Sequence, residues 1–125
     1  MQKLSDEISD IIFKISPSIR FVGIYKNNEL KFAYREDITP QLEQSKTIKS
    51  FEYAVKRWEE RKELLSAEIG NPVYAIAMYE TVKRLTMELD DGSILLLSME
   101  LEADQEKILT DLLDYRNSLT FDGNS

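Results

Sequence analysis

The tract Ile94-Leu95-Leu96-Leu97 carries no polar side chain, and neither does Phe21-Val22-Gly23-Ile24. In an extended strand successive side chains point to opposite faces, so a strand that is apolar throughout must be covered on both sides. Each buried aliphatic side chain is worth about 1.5–3 kcal/mol. Leaving half of both tracts in water would therefore consume the stability of a typical domain. The two tracts demand helices on both faces of one sheet.

The first tract belongs to the stretch RFVGIYKNNELKFAYRE, Arg20 to Glu36. Asn27-Asn28 makes a two-residue loop, because Asn tolerates the positive φ that a type I′ hairpin turn requires. The loop fixes the register: Lys26 faces Glu29, Tyr25 faces Leu30, Gly23 faces Phe32 and Phe21 faces Tyr34, with Val22 and Ile24 opposite Ala33 and Lys31 on the other face. The first strand is apolar on both faces and is expected inside the sheet. The second is mixed on one face and is expected at an edge.

Leu4, Ile8, Ile11, Ile12 and Ile15 form one helical stripe ended by Ser-Pro-Ser. A longer stripe runs through Ile48, Phe51, Val55, Trp58, Leu65 and Ile69, interrupted by Lys62. That helix starts either at Pro40 behind a Thr39 cap or nearer Ser45, and Gly70-Asn71-Pro72 ends it. Three strands follow, from Val73, Lys83 and Ser93, the last two joined by Asp90-Asp91-Gly92, a hairpin signal. The strand from Lys83 alternates and is expected half covered. A closing helix carries Ile108, Leu109, Leu112, Leu113 and Leu119, with Asp104 and Glu106 at its positive end. The expected fold is an α/β (α+β) three-layer sandwich around a five-stranded antiparallel sheet, in the order αββαβββα.

A chain of 125 residues fits a single domain, expected over residues 1–119 with a loose tail at 120–125. No tract approaches the roughly 18 apolar residues of a membrane span, and the N-terminus is acidic and amphipathic where a signal peptide is basic, which points to the cytoplasm. There is no Cys and no His. Disulfides and thiolate metal sites are excluded, and the commonest general base and transition-metal ligand are missing. A net charge of −7 disfavours binding to nucleic acid. No cofactor motif is present.

Ile19–Tyr25, Tyr34–Leu42, Gly70–Ile76 and Ser93–Glu100 together resemble an uncharacterised archaeal family of roadblock/LC7-like fold, within the roadblock, longin and profilin-like group. That resemblance spans about Ile19 to Leu113 and contains no catalytic signature. The family usually has a glycine-rich end to its second strand, whereas Lys31-Phe32-Ala33 has none. The resemblance implies a five-stranded sheet with one helix on one face and two on the other. It further implies dimerisation through the third strand and the long helix, and a role as platform or regulator of small GTPases.

The strand from Val73 is apolar on both faces, and an edge position makes it an aggregation hazard that a partner strand removes. The expected interface comprises Phe51, Val55 and Trp58 with Val73, Tyr74, Ala75, Ile76, Ala77 and Met78. Loops or the long helix covering that edge is the alternative, and Trp58, at helical spacing among Ile48, Phe51 and Val55, is more often core than hot spot. Lys56, Arg57, Arg61 and Lys62 offer a basic docking face, but Glu52, Glu59, Glu60 and Glu63 pair with them at helical spacing. Asp90 with Asp91 reads as a turn, and Glu59 with Glu60 diverge on the helix, so neither pair suits acid/base catalysis. An arginine offered to a GTPase would be Arg20, Arg35 or Arg84. The leading expectation is a non-enzymatic dimeric interaction module. The alternative is a small-molecule sensor of PAS-like type, its cavity lined by Phe21, Tyr25, Phe32 and Tyr34.

Overall fold

The computed structural model describes residues 2–40 and 42–122. Its elements are β1 (Gln2–Lys3), α1 (Asp6–Ile15), β2 (Ile19–Lys26), β3 (Glu29–Tyr34), α2 (Gln44–Ile69), β4 (Tyr74–Met78), β5 (Lys83–Glu88), β6 (Ile94–Met99) and α3 (Gln105–Tyr115). The strands form one sheet in the order β1-β3-β2-β6-β5-β4.

The two fully apolar tracts lie side by side at its centre, Val22 opposite Leu97 and Ile24 opposite Leu95. One face packs Val22, Ile24, Leu95 and Leu97 against Ile8 and Ile12 of α1 and Ile108 and Leu112 of α3. The other packs Phe21, Leu30, Ile94 and Leu96 against Phe51, Val55 and Trp58 of α2. The three-layer sandwich follows from the alternation of strand side chains. Asn27 and Asn28 both have positive φ, 51° and 66°, and the β2–β3 register is the expected one at every position.

The sheet has six strands where five are expected. The extra one, β1, runs parallel to β3, with Gln2 opposite Lys31 and Lys3 opposite Phe32. Ser5 causes the difference: its hydroxyl accepts from the Ile8 amide at 3.3 Å and caps α1 at Asp6, so the residues before it are released from the helix. Leu4 is therefore outside the helix, though still buried. The β3 strand consequently gains a neighbour along part of its outer side. The strand β5 lies inside the sheet, and Thr86 is buried beneath α2, which covers it more fully than its alternation suggests.

At the C-terminal end, Leu113 is exposed while Leu119, past the end of α3, is buried. The tail expected from residue 120 is anchored at Phe121. That ring is buried, its amide donates to Asp91 at 3.0 Å, and its carbonyl accepts from Lys31 Nζ at 3.2 Å. Residues 123–125 of the expected tail lie outside the described residues.

Candidate interaction surface

The α2 helix begins at Gln44, close to the Ser45 alternative, and ends at Gly70, whose φ of 90° with ψ of 170° is a conformation that favours glycine. Its inner face is used within the chain. Phe51 and Val55 are buried and Trp58 is 0% exposed. The indole Nε1 of Trp58 donates to Glu88 Oε1 at 3.1 Å, and Lys62 Nζ meets the same carboxylate at 2.9–3.0 Å. These three expected interface residues are core, because the sheet passes directly beneath the first four turns of α2. Lys62 interrupts the apolar stripe in order to pair with Glu88.

Beyond Trp58 the helix is no longer buried, although Lys62 still reaches Glu88 of β5 and Arg61 still borders the same groove as Ala75 and Ala77. Eleven residues at 1.5 Å each carry it about 16 Å further, and no residue of α2 beyond Trp58 is buried. Leu65 and Ile69 continue the inner stripe into solvent, with Ile69 77% exposed. Leu64, 74% exposed, lies on the flank that also carries Tyr53, Arg57 and Arg61, residues about three or four apart.

That flank looks onto β4, which occupies the sheet edge and among the described residues pairs only with β5. Met78 is 69% exposed and Val73 and Tyr74 are exposed, while Ala75 and Ile76 are half-buried. Tyr53, Ala54, Arg57, Ala75 and Ala77 border a groove of about 270 Å³ between helix and strand. In that groove the Arg57 Nε donates to the Tyr53 hydroxyl at 3.2 Å. The opposite sheet edge is treated differently. Segments before α1 and after α3 partly cover β3, β1 by pairing and Phe121 through its contacts with Lys31, whose Nζ sits 4.3 Å from the Phe121 ring centroid.

The three candidate arginines separate. Arg35 is a structural clamp: Nε donates to Ile19 O at 2.8 Å, and Nη2 to Phe13 O at 2.9 Å and Ser16 O at 2.7 Å. Arg20 and Arg84 line a cavity beneath the start of α2. Asp91 serves the turn, as expected, accepting from the Ser93 amide at 3.0 Å. Burial would raise its carboxyl, but hydrogen bonds from Ser93 and Phe121 and the charge of Lys26 outweigh this and hold it below its ordinary value.

The aromatic side chains proposed for a sensor cavity pack on one another instead. Phe21 lies 4.9 Å from Tyr34, Phe32 is 5.8 Å from Tyr34, and Tyr25 is 6.1 Å from Phe51, between ring centroids. Among the described residues, no group of three or more acidic side chains is arranged to hold a metal ion, and no helix is long and apolar enough to cross a membrane.

One helix on one face, two on the other and an open strand edge beside the single long helix define a roadblock/LC7-like fold. In particular, the chain is similar in structure to the roadblock/LC7 domain from Streptomyces avermitilis, with TM-score 0.71 at 11% identity over 94% of each chain. It is similar too to the gliding protein MglB from Thermus thermophilus, TM-score 0.69 at 8% identity over 95% of this chain and 92% of that one. MglB in a tetrameric arrangement also matches, TM-score 0.69 at 8% identity over 95% and 91%. Compared by sequence, the chain matches no family model and no curated protein. At these identities the likeness is one of fold.

Proposed function

We propose that this protein is a non-enzymatic cytoplasmic interaction module that pairs with a second copy through β4 and the outer flank of α2. The pair serves as a platform or regulator for a small GTPase or another signalling protein. One observation carries the reading. Large apolar side chains are exposed both on the second half of α2, at Leu64 and Ile69, and along the β4 edge, at Val73, Tyr74 and Met78, and among the described residues β4 pairs only with β5, while β1 and Phe121 partly cover β3 at the opposite edge. An exposed apolar edge is a template for another strand, and monomers blunt such edges with charge, proline or cover. Part of β3 is covered by β1 and Phe121, and among the described residues no strand covers the outer side of β4. The archaeal family that its motifs resemble, and the tetrameric arrangement of a structurally similar MglB, support association as the use of these exposed side chains. The GTPase assignment rests on the resemblance.

The interface proposed here keeps Val73, Tyr74, Ala75, Ile76, Ala77 and Met78 and replaces Phe51, Val55 and Trp58 with Tyr53, Arg57, Leu64 and Ile69. Light scattering at micromolar concentration tests it. Twice the chain mass of 14.6 kDa is expected, and a single chain mass refutes pairing. For the GTPase, the immobilised protein is challenged with small GTPases loaded with GTP or GDP. Retention that differs between the two nucleotides supports a regulator, and equal or absent retention of every GTPase tried argues against one.

A further inference from the structure

We propose that the cavity at the start of α2 binds a small oxyanion, inorganic phosphate or the phosphoryl group of a phosphorylated metabolite, between Arg20 and Arg84. The chain has 23 acidic residues against 16 basic ones, yet this wall holds two arginines and no carboxylate among its twelve described residues. Glu100 is near enough to Arg20 to feel its charge, but it is not part of the wall. Neither Arg20 nor Arg84 forms an ion pair among the described residues.

Arg84 is the stronger indication. It sits on β5 between Ala77 and Ser98, inside the sheet, and its Nε is buried without a hydrogen-bond partner among the described residues. Burial pulls its proton affinity below the ordinary guanidinium value, and the groups that favour its charge are the phenols of Tyr79 and Tyr34. The Tyr79 hydroxyl serves one side of the guanidinium, so the Nε is the donor left unsatisfied, and a charged donor taken out of water without an acceptor is costly unless an anion compensates. Arg35 shows the usual solution in this same chain, three hydrogen bonds to backbone carbonyls.

Ser98 and Tyr34 add hydroxyl donors to the wall, and Thr47 and Ser50 place the first turns of α2 beside it. The cavity measures about 60 Å³, room for roughly four waters. A phosphate or phosphoryl group fits a space of that size. Guanidinium forks match the oxygen spacing of such groups and hold them with charge-assisted hydrogen bonds.

The site does not depend on the proposed pairing, although Arg84 also borders the α2–β4 groove, so both properties are measured together. Inorganic phosphate is titrated at millimolar concentration against chloride of equal ionic strength, with thermal unfolding and phosphorus NMR line width as readouts and light scattering alongside. In the unaltered protein, phosphate is expected to raise the melting temperature in a saturable way and to broaden the phosphorus line. Arg84→Gln and Arg20→Gln are expected to weaken phosphate binding at least tenfold each, the loss of one charge-assisted hydrogen bond or more. Without phosphate, Arg84→Gln is expected to be no less stable than the parent chain. If Arg84→Gln fails to fold, Arg20→Gln decides. The proposal is overturned if chloride gives the same stabilisation, or if both variants bind phosphate as well as the parent. It is equally overturned if Arg84→Gln dissociates the pair while phosphate has no effect, because the compensating anion is then a carboxylate of the second copy.

Discussion

Gly23 stands in the middle of an interior strand, where glycine normally weakens pairing. The reason lies across the sheet: a Cβ there would run into the Phe51 ring, with Leu30 Cδ1 3.3 Å away. Gly23→Ala is expected to cost about 1–3 kcal/mol through overpacking. Adding Phe51→Leu should return part of that loss, and denaturant unfolding of the two single variants and the double one measures the coupling. Asp91 makes a pH prediction. Its folded carboxyl sits below the ordinary 3.8, so its stabilising contribution is complete above that value and is lost as pH falls through the lower folded one. Asp91→Asn is expected to cost about 1–2 kcal/mol at neutral pH, given its partial exposure. The gap between the two melting curves should narrow below pH 3.8, and a gap that stays constant down to pH 2 would show that the charge is immaterial. The Asn27-Asn28 turn was legible in sequence because two adjacent residues suffice to specify it. The role of Gly23 was not, since Phe51 is far along the chain.

At the scale of elements, α2 divides into a packed half and an overhanging half, and the two should respond differently to substitution. Ile69→Glu with Met78→Lys alters only exposed side chains. It is expected to leave the monomer within about 0.5 kcal/mol of the parent per site while weakening the pair at least tenfold by sedimentation or light scattering. Phe51→Ala, in contrast, should destabilise the fold itself by about 3–5 kcal/mol. If the first variant behaves like the second, the overhang belongs to the core after all. Periodicity found this helix and its buried side, because a 3.6-residue repeat is a local property. It did not reveal where burial along that stripe stops: Phe51, Val55 and Trp58, expected at an interface, are buried within the chain, while Leu65 and Ile69 of the same stripe are exposed. The extra strand β1 escaped for a related reason: two residues, Gln2 and Lys3, carry no repeat, and only the Ser5 cap hinted that the first helix starts after them.

Across the whole molecule, the two sheet edges have opposite fates. On one side β1 and Phe121 partly cover β3, and on the other β4 has no outer strand among the described residues. Phe121→Ala removes a buried ring and part of that cover, and is expected to cost about 3 kcal/mol in urea unfolding. An effect under 0.5 kcal/mol would mean the C-terminal segment contributes nothing to the fold. The order of elements from α1 onward, the hairpin register and the demand for helices on both faces were set by the sequence alone, because each rests on short-range periodicity or on a run with no polar position. Which strand edge stays open, where burial along α2 stops and which arginines meet around a cavity were decided only in the folded chain. Those features depend on contacts between residues tens of positions apart, such as Lys31 with Phe121 or Trp58 with Glu88, and no local pattern encodes them.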